Sequence, residues 1–167
     1  MTEPAALRTL CADLRAQADD VFDPKTLAEQ LGVRVRYFSL GETKGFYVVL
    51  DDIPFIAVNR DLPEPLRDIV CAHELGHHLL HRELAEQTLL SDYDLYLMES
   101  RVEREANLFA AFLLISEEAV ASLRRPEHRD TSISEAAGLF GTTKELLAIR
   151  LAAEGLETGV RLSRFPS

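Results

Sequence analysis

Apolar residues recur at Ala6, Leu7, Leu10, Leu14 and Ala18, a stripe at helical spacing that predicts a helix over 5–18. Asp23 followed by Pro24 then opens a short second helix, and Gly32 marks its stop. The period changes in VRVRYFSL (33–40), GFYVVL (45–50) and PFIAVN (54–59), which read as strands. Asp51-Asp52 before Ile53-Pro54 is a turn signal, so 45–59 reads as a hairpin in a small antiparallel sheet. From Pro65 the pattern turns helical: Leu66, Ile69, Val70, His73, His77 and Leu80 share one stripe, predicting a helix over about 64–82. Residues 83–94 read as a loop or broken helix, and a second long helix, apolar on most sides and therefore central, covers about 95–115. Ser116 caps a short helix to about Arg124, and the loop RPEHRD follows. Two helices with capping boxes close the pattern, Ser132 with Glu135 and Thr142 with Glu145, separated by Gly141 and ended by Gly155. The expected fold is α+β, a mostly helical body with a small antiparallel sheet. It forms one domain over 1–156, with 131–155 as a C-terminal helix pair packed on it and 157–167 as a tail.

Charge narrows the classes of partner. The 167 residues hold 18 Lys plus Arg against 28 Asp plus Glu, a net charge of -10. Phosphate neutralisation needs a basic footprint, so direct binding to nucleic acid or to an anionic membrane is not expected. No apolar run approaches the ~18 residues of a spanning helix. The acidic, amphipathic start MTEPAALRTLCADLRAQADD lacks the basic head and apolar run of a signal peptide. Cys11 and Cys71 lie far apart without CxxC spacing, as expected of reduced thiols in a cytoplasmic protein.

The chemistry concentrates in Cys71-Ala72-His73-Glu74-Leu75-Gly76-His77-His78-Leu79-Leu80-His81. Four residues apart on a helix, His73 and His77 stack over one face, from which two neutral ring nitrogens reach one Zn2+. Glu74 projects sideways from the same turn and suits a general base that takes a proton from an activated water. The plainer alternative is a helix whose histidines merely pack or face solvent; the HExxH pattern in helical context favours the metal. Such a site needs a third protein ligand. The extended form HExxHxxGxxH is excluded, because Leu80 and Glu83 stand where it needs Gly and His. Glu83, Glu86, Glu99, Glu103 and Glu105 remain as carboxylate candidates, with Glu83 poorly placed at the end of the same helix.

The stretch IVCAHELGHHLLH, followed by VEREANLFAAFLLIS, resembles the ImmA/IrrE-type metallopeptidases. Members carry an HExxH helix and then a helix reading Glu-x-x-Ala-Asn-x-Phe-Ala-Ala, which Glu103, Ala106, Asn107, Phe109, Ala110 and Ala111 match. The resemblance implies that Glu103 is the third metal ligand, with the metal held between the two helices; Glu99, one turn earlier, is the second choice. Asn107, one turn after Glu103, is placed to accept from a ligand histidine's second N–H. Glu105 points elsewhere and suits an ion pair with a nearby Arg. The likeness covers about 20–155, with Ile115-Ser116 standing where many members have Met-Pro.

The resemblance also implies a function: a zinc-dependent endopeptidase of narrow specificity that cleaves a helix-turn-helix transcriptional repressor in a stress or mobile-element response. Mn2+ or another divalent ion suits the same donors. The alternatives are a non-cleaving zinc module that docks a repressor or toxin, and hydrolysis of a non-peptide amide.

Other residues have plainer roles. His81 suits a helix-end or outer-sphere position rather than a ligand, and His78 points off the metal face. His128 in its loop, and Tyr93 and Tyr96, are weaker candidates for stabilising an oxyanion. The pair SISEAAGLFGTTKELLAIRLA has the length of a helix-turn-helix, but Lys144 and Arg150 stand beside Glu145 and Glu154, so packing or partner docking is the expected role.

Overall fold

The computed structural model describes residues 3–18, 22–85, 90–92, 101–128 and 130–155. Its buried apolar residues form one cluster running from Leu7 to Ile149. Helix α1 (Pro4–Gln17) starts on its own proline and buries Leu7, Cys11 and Leu14. Helix α2 (Pro24–Gln30) is capped by Asp23, whose carboxylate accepts from Thr26 N at 2.9 Å.

Strands β1 (Arg34–Phe38), β2 (Gly45–Leu50), β3 (Ile53–Asn59) and β4 (Leu90–Asp92) form a sheet in the order β1-β3-β2-β4. The hairpin is as expected: β2 and β3 are antiparallel, Leu50 pairs with Ile53, and the two-residue loop is Asp51-Asp52. Both loop residues have positive φ, 49° and 63°, the left-handed pair that a tight hairpin turn demands. The sheet is mixed rather than antiparallel throughout, because β1 pairs with β3 in parallel. The physical reason lies in β3. Its Ile56, Ala57, Val58 and Asn59 are all buried, as befits a central strand, whereas β1 alternates exposed and buried positions like an edge. Asn59 fixes the arrangement by donating to Gly41 O and Thr43 O, both at 3.0 Å, and accepting from Asp61 N at 3.0 Å. Strand β4 lies inside the segment expected to be a loop or broken helix and pairs with β2.

Helix α3 (Glu64–Ala85) packs on β2 and β3, and α4 (Arg101–Leu114) packs on its other side. Two glycines permit these approaches. A Cβ on Gly45 would collide with Val70 Cγ1 of α3 and meet Ala57 O at 2.9 Å. A Cβ on Gly76 would sit 3.0 Å from Phe109 Cδ1 and 3.3 Å from Ala106 Cα. A helix-interior glycine costs about 1 kcal/mol relative to alanine; here it lets α3 and α4 close up. Helix α4 is the centre, buried at every position from Glu105 to Leu113 except half-buried Leu108, and contacting α1, α3 and α7.

Helix α5 (Glu117–Ser122) is capped by Ser116, and α6 (Ile133–Leu139) carries the expected capping box of Ser132 and Glu135. Helix α7 (Lys144–Ala152) corrects the second box: Thr143, not Thr142, is its cap, accepting from Leu146 N at 3.2 Å. Gly141, at φ 60°, ends the turn one residue later than a cap at Thr142 needs. Leu146 to Arg150 of α7 are buried, so its apolar face is committed to the core. Arg150, 1% exposed, donates to Ile115 O at 3.1 Å and to Glu117 at 2.8 Å, tying α7 to the end of α4 and to α5. Among the described residues no helix is long and apolar enough to cross a membrane.

Candidate metal centre

One turn apart on α3, His73 and His77 are buried and bring their Nε2 atoms within 3.0 Å of each other. Across the α3–α4 contact, Glu103 in the first turn of α4 places Oε2 3.2 Å from His73 Nε2 and Oε1 3.5 Å from His77 Nε2. Among the described residues this is the one group of three or more potential ligand side chains with converging atoms. Glu103 keeps 28% of its side chain exposed, so the triangle is buried on the histidine side and open beside the carboxylate.

Four observations bear on whether a cation fits. A tetrahedral ion bonded at ~2.0–2.1 Å separates its donors by roughly 3.3–3.4 Å; the histidine nitrogens stand 3.0 Å apart, and one Glu103 oxygen lies 3.2 Å from His73 Nε2 and the other 3.5 Å from His77 Nε2, all close to that value. The outer nitrogen of His73 meets Asn107 Oδ1 at 3.0 Å, which puts the proton on Nδ1 and leaves Nε2 as a bare lone pair facing the triangle. Burial pushes His77 down to about 4, against the raising effect of Glu103 and with His73 adding to the lowering, so its imidazole is neutral at physiological pH. Burial works to raise the Glu103 carboxyl, but hydrogen bonds from the two histidines outweigh it and hold the group well below the usual range. The neutral imidazole of His77, the inward-facing Nε2 of His73 and an ionised carboxylate suit Zn2+ or a similar divalent ion.

Glu74, one residue after His73, is fully buried on the face of α3 that meets β2. Its Oε1 lies 3.4 Å from the place a Cβ on Gly45 would take, so the start of β2 lines this carboxylate. His78 shares that face, and its Nδ1 is 2.8 Å from the hydroxyl of buried Tyr47 on β2. His81 is 8% exposed; its Nδ1 is 3.3 Å from His77 Nδ1, and its Nε2 is 3.0 Å from Glu105 Oε2. Glu105 also forms the expected ion pair with an arginine, Arg101 Nε at 3.0 Å. Its second partnership, with His81, is not legible from sequence, although the spacing of His73, His77 and His81 on one stripe is a hint.

The other candidates lie elsewhere. Glu83 is exposed on the last turn of α3, and His128, in a short 3-10 turn (Pro126–His128), meets Thr131 Oγ1 at 3.4 Å. Glu86, Glu99, Tyr93 and Tyr96 lie outside the described residues. Cys71 is buried, and burial, with Asp23 and Asp68 adding, pushes its thiol far up; burial likewise takes Cys11 to about 12, so both thiols are inert.

A family model described as the IrrE N-terminal-like domain, Peptidase_M78, matches residues 28–152. The chain belongs to this family. It is also 29% identical over 133 residues, 79% of this chain and 81% of the relative, to "Uncharacterized immunity region protein 2" of Bacillus phage phi105. Family membership indicates a metallopeptidase, in a family that is zinc-dependent in general, and the His-His-Glu cluster of the structure is a group that could hold such an ion.

Proposed function

We propose that this chain is a zinc-dependent endopeptidase of narrow specificity whose substrate is a DNA-binding transcriptional repressor. The observation that carries the hydrolytic part is the convergence of His73, His77 and Glu103 beside the buried carboxylate of Glu74. His73, His77 and Glu103 would hold the ion, which supplies a Lewis acid and a water acidified towards neutral pH. Glu74 would take a proton from the water that attacks the peptide carbonyl and return it to the departing amine. Asn107 keeps His73 in the tautomer that offers Nε2 inward. A purely structural ion has no use for a buried carboxylate at position 74, which favours cleavage over docking alone.

The repressor half rests on two supports. The relative's printed name places it in a phage immunity region. The net charge of -10 suits a partner with a basic DNA-binding surface and opposes DNA itself, and α7, with its central residues buried, has no free face for a groove.

The test incubates zinc-loaded protein with the regulator encoded beside it, with and without chelator, alongside Glu74→Gln. The wild type should cleave, chelator should stop it, and Glu74→Gln should bind metal normally while losing 10²–10⁴-fold or more in rate, the range of general base catalysis. Glu74→Gln cleaving at the wild-type rate would remove Glu74 from the mechanism. Steeply salt-dependent binding to promoter DNA by this chain alone would remove the protein-substrate reading.

A further inference from the structure

Helix α3 breaks from helical geometry at His81, where φ is -135° and ψ is 22°. The break falls on the residue whose ring turns back towards the preceding turn: the imidazoles of His77 and His81 are 5.4 Å apart and inclined at 54°. His81 then reaches across to α4, to Glu105, whose other oxygen accepts from Arg101. His81 and Glu105 are both nearly buried, while the Arg101 side chain is 58% exposed. The result is a chain of four polar side chains running from His77 to the surface.

Its direction follows from donor and acceptor counting. As a carboxylate Glu105 only accepts, so His81 donates to it from Nε2, and Nδ1 is the ring nitrogen left to accept from His77. His77 Nδ1 must then donate, and His77 Nε2 is left bare, facing His73 and Glu103. The same state that Asn107 imposes on His73 in one step is imposed on His77 in two. Packing gives no reason for these residues, because an apolar pair would fill the space between α3 and α4 without needing partners.

We infer that His81 and Glu105 are positioning residues for His77, fixing the tautomer and rotation in which it meets a metal ion; the inference rests on the metallopeptidase reading. Neither residue touches the ion or the substrate in this scheme. The test compares the full-length wild type, His81→Leu and His81→Asn. Each is stripped with chelator and titrated with Co2+, followed by its visible absorption, then with Zn2+ against a chromophoric chelator. His81→Leu should bind both ions 10–100-fold more weakly, with a displaced cobalt band, while its metal-free melting temperature changes little. His81→Asn puts an amide oxygen where Nδ1 stood and should recover most of the affinity, which a merely structural role does not foresee. If His81→Leu does not fold, Glu105→Gln is read in the same way, with a loss of about tenfold expected. Wild-type affinity and spectrum in the Leu variant, or an Asn variant as weak as Leu, overturns the inference alone. Wild-type protein that takes up no cobalt overturns the metallopeptidase reading and this inference with it.

Discussion

Gly76 sits in the HExxH helix without being a ligand, and Gly76→Ala should separate metal affinity from stability. The new Cβ would lie 3.0 Å from Phe109 Cδ1 and 3.3 Å from Ala106 Cα. Comfortable carbon contacts are about 3.5–4.0 Å, so α4 must retreat by a few tenths of an ångström. The Phe109 ring can turn aside, but Ala106 Cα is backbone and moves only with the helix. Overpacking costs about 1–3 kcal/mol, and replacing a helix-interior glycine returns about 1 kcal/mol, leaving a loss of roughly 0–2 kcal/mol in the metal-free protein. Glu103 rides on the same helix, three residues before Ala106, whereas His73 and His77 stay with α3. The edges of 3.2 and 3.5 Å to Glu103 therefore lengthen while the 3.0 Å edge between the histidines does not. Ligand distances tolerate about 0.2 Å, so zinc affinity should fall by roughly tenfold or more. Urea melts in chelator give the first quantity and zinc competition the second. Unchanged zinc affinity with lowered stability would show that the α3–α4 spacing does not set the ligand triangle.

Two further outcomes are expected. Metal-free protein should lose stability on acidification: the folded pKa of His77 is depressed to about 4 from 6.5, so the unfolded chain binds the extra proton first as pH falls. Stability is then full above about pH 6.5 and declines towards pH 4, by up to about 3 kcal/mol from this group; Glu103, also depressed, adds loss at lower pH in the same direction. Denaturant melts at several pH values check this, and a His77→Asn variant should flatten the upper part of the profile. In the β2–β3 turn, Asp52→Gly should raise stability by about 0.5–1 kcal/mol, because φ at 63° suits glycine and the side chain is exposed. A melting temperature higher by a few degrees is the expected reading, and a fall would mean that the aspartate side chain anchors the turn.

Much of the fold is legible along the chain because local rules decide it. The stripe of α1, the caps at Asp23, Ser116 and Ser132, and the hairpin at Asp51-Asp52 all follow from residues close in sequence. Parallel pairing of β1 with β3 is not legible, since it depends on Asn59 gathering the 41–43 loop from a distance. Nor is β4: Leu90-Ser91-Asp92 has no strand pattern of its own and becomes one by pairing with β2. At α7 two adjacent threonines compete for the cap, and the left-handed Gly141 decides for Thr143. Within the site, spacing on one helix brings His73, Glu74 and His77 forward. The same spacing leaves five glutamates open, and family resemblance, not periodicity, selects the Glu103 that the structure places beside the histidines. The bend at His81 has no sequence signature, so the link to Glu105 is visible only in three dimensions.

The burial of α3 is itself an argument about purpose. Within nine residues the helix hides His73, Glu74, His77, His78 and His81, none more than 9% exposed. Each buried polar group costs about 1–3 kcal/mol unless a partner meets it, so packing alone selects leucines here. The partners are divided by face. Strand β2 meets one side, with Tyr47 on His78 and Gly45 against Glu74; α4 meets the other, with Asn107, Glu103 and Glu105. The carboxylate proposed as the base and the atoms that converge in the His-His-Glu cluster thus depend on two separate contacts of one helix. Small residues set both distances, Gly45 towards the sheet and Gly76 towards α4. A substitution at the first should disturb Glu74 with the ligand triangle intact, and one at the second should do the reverse.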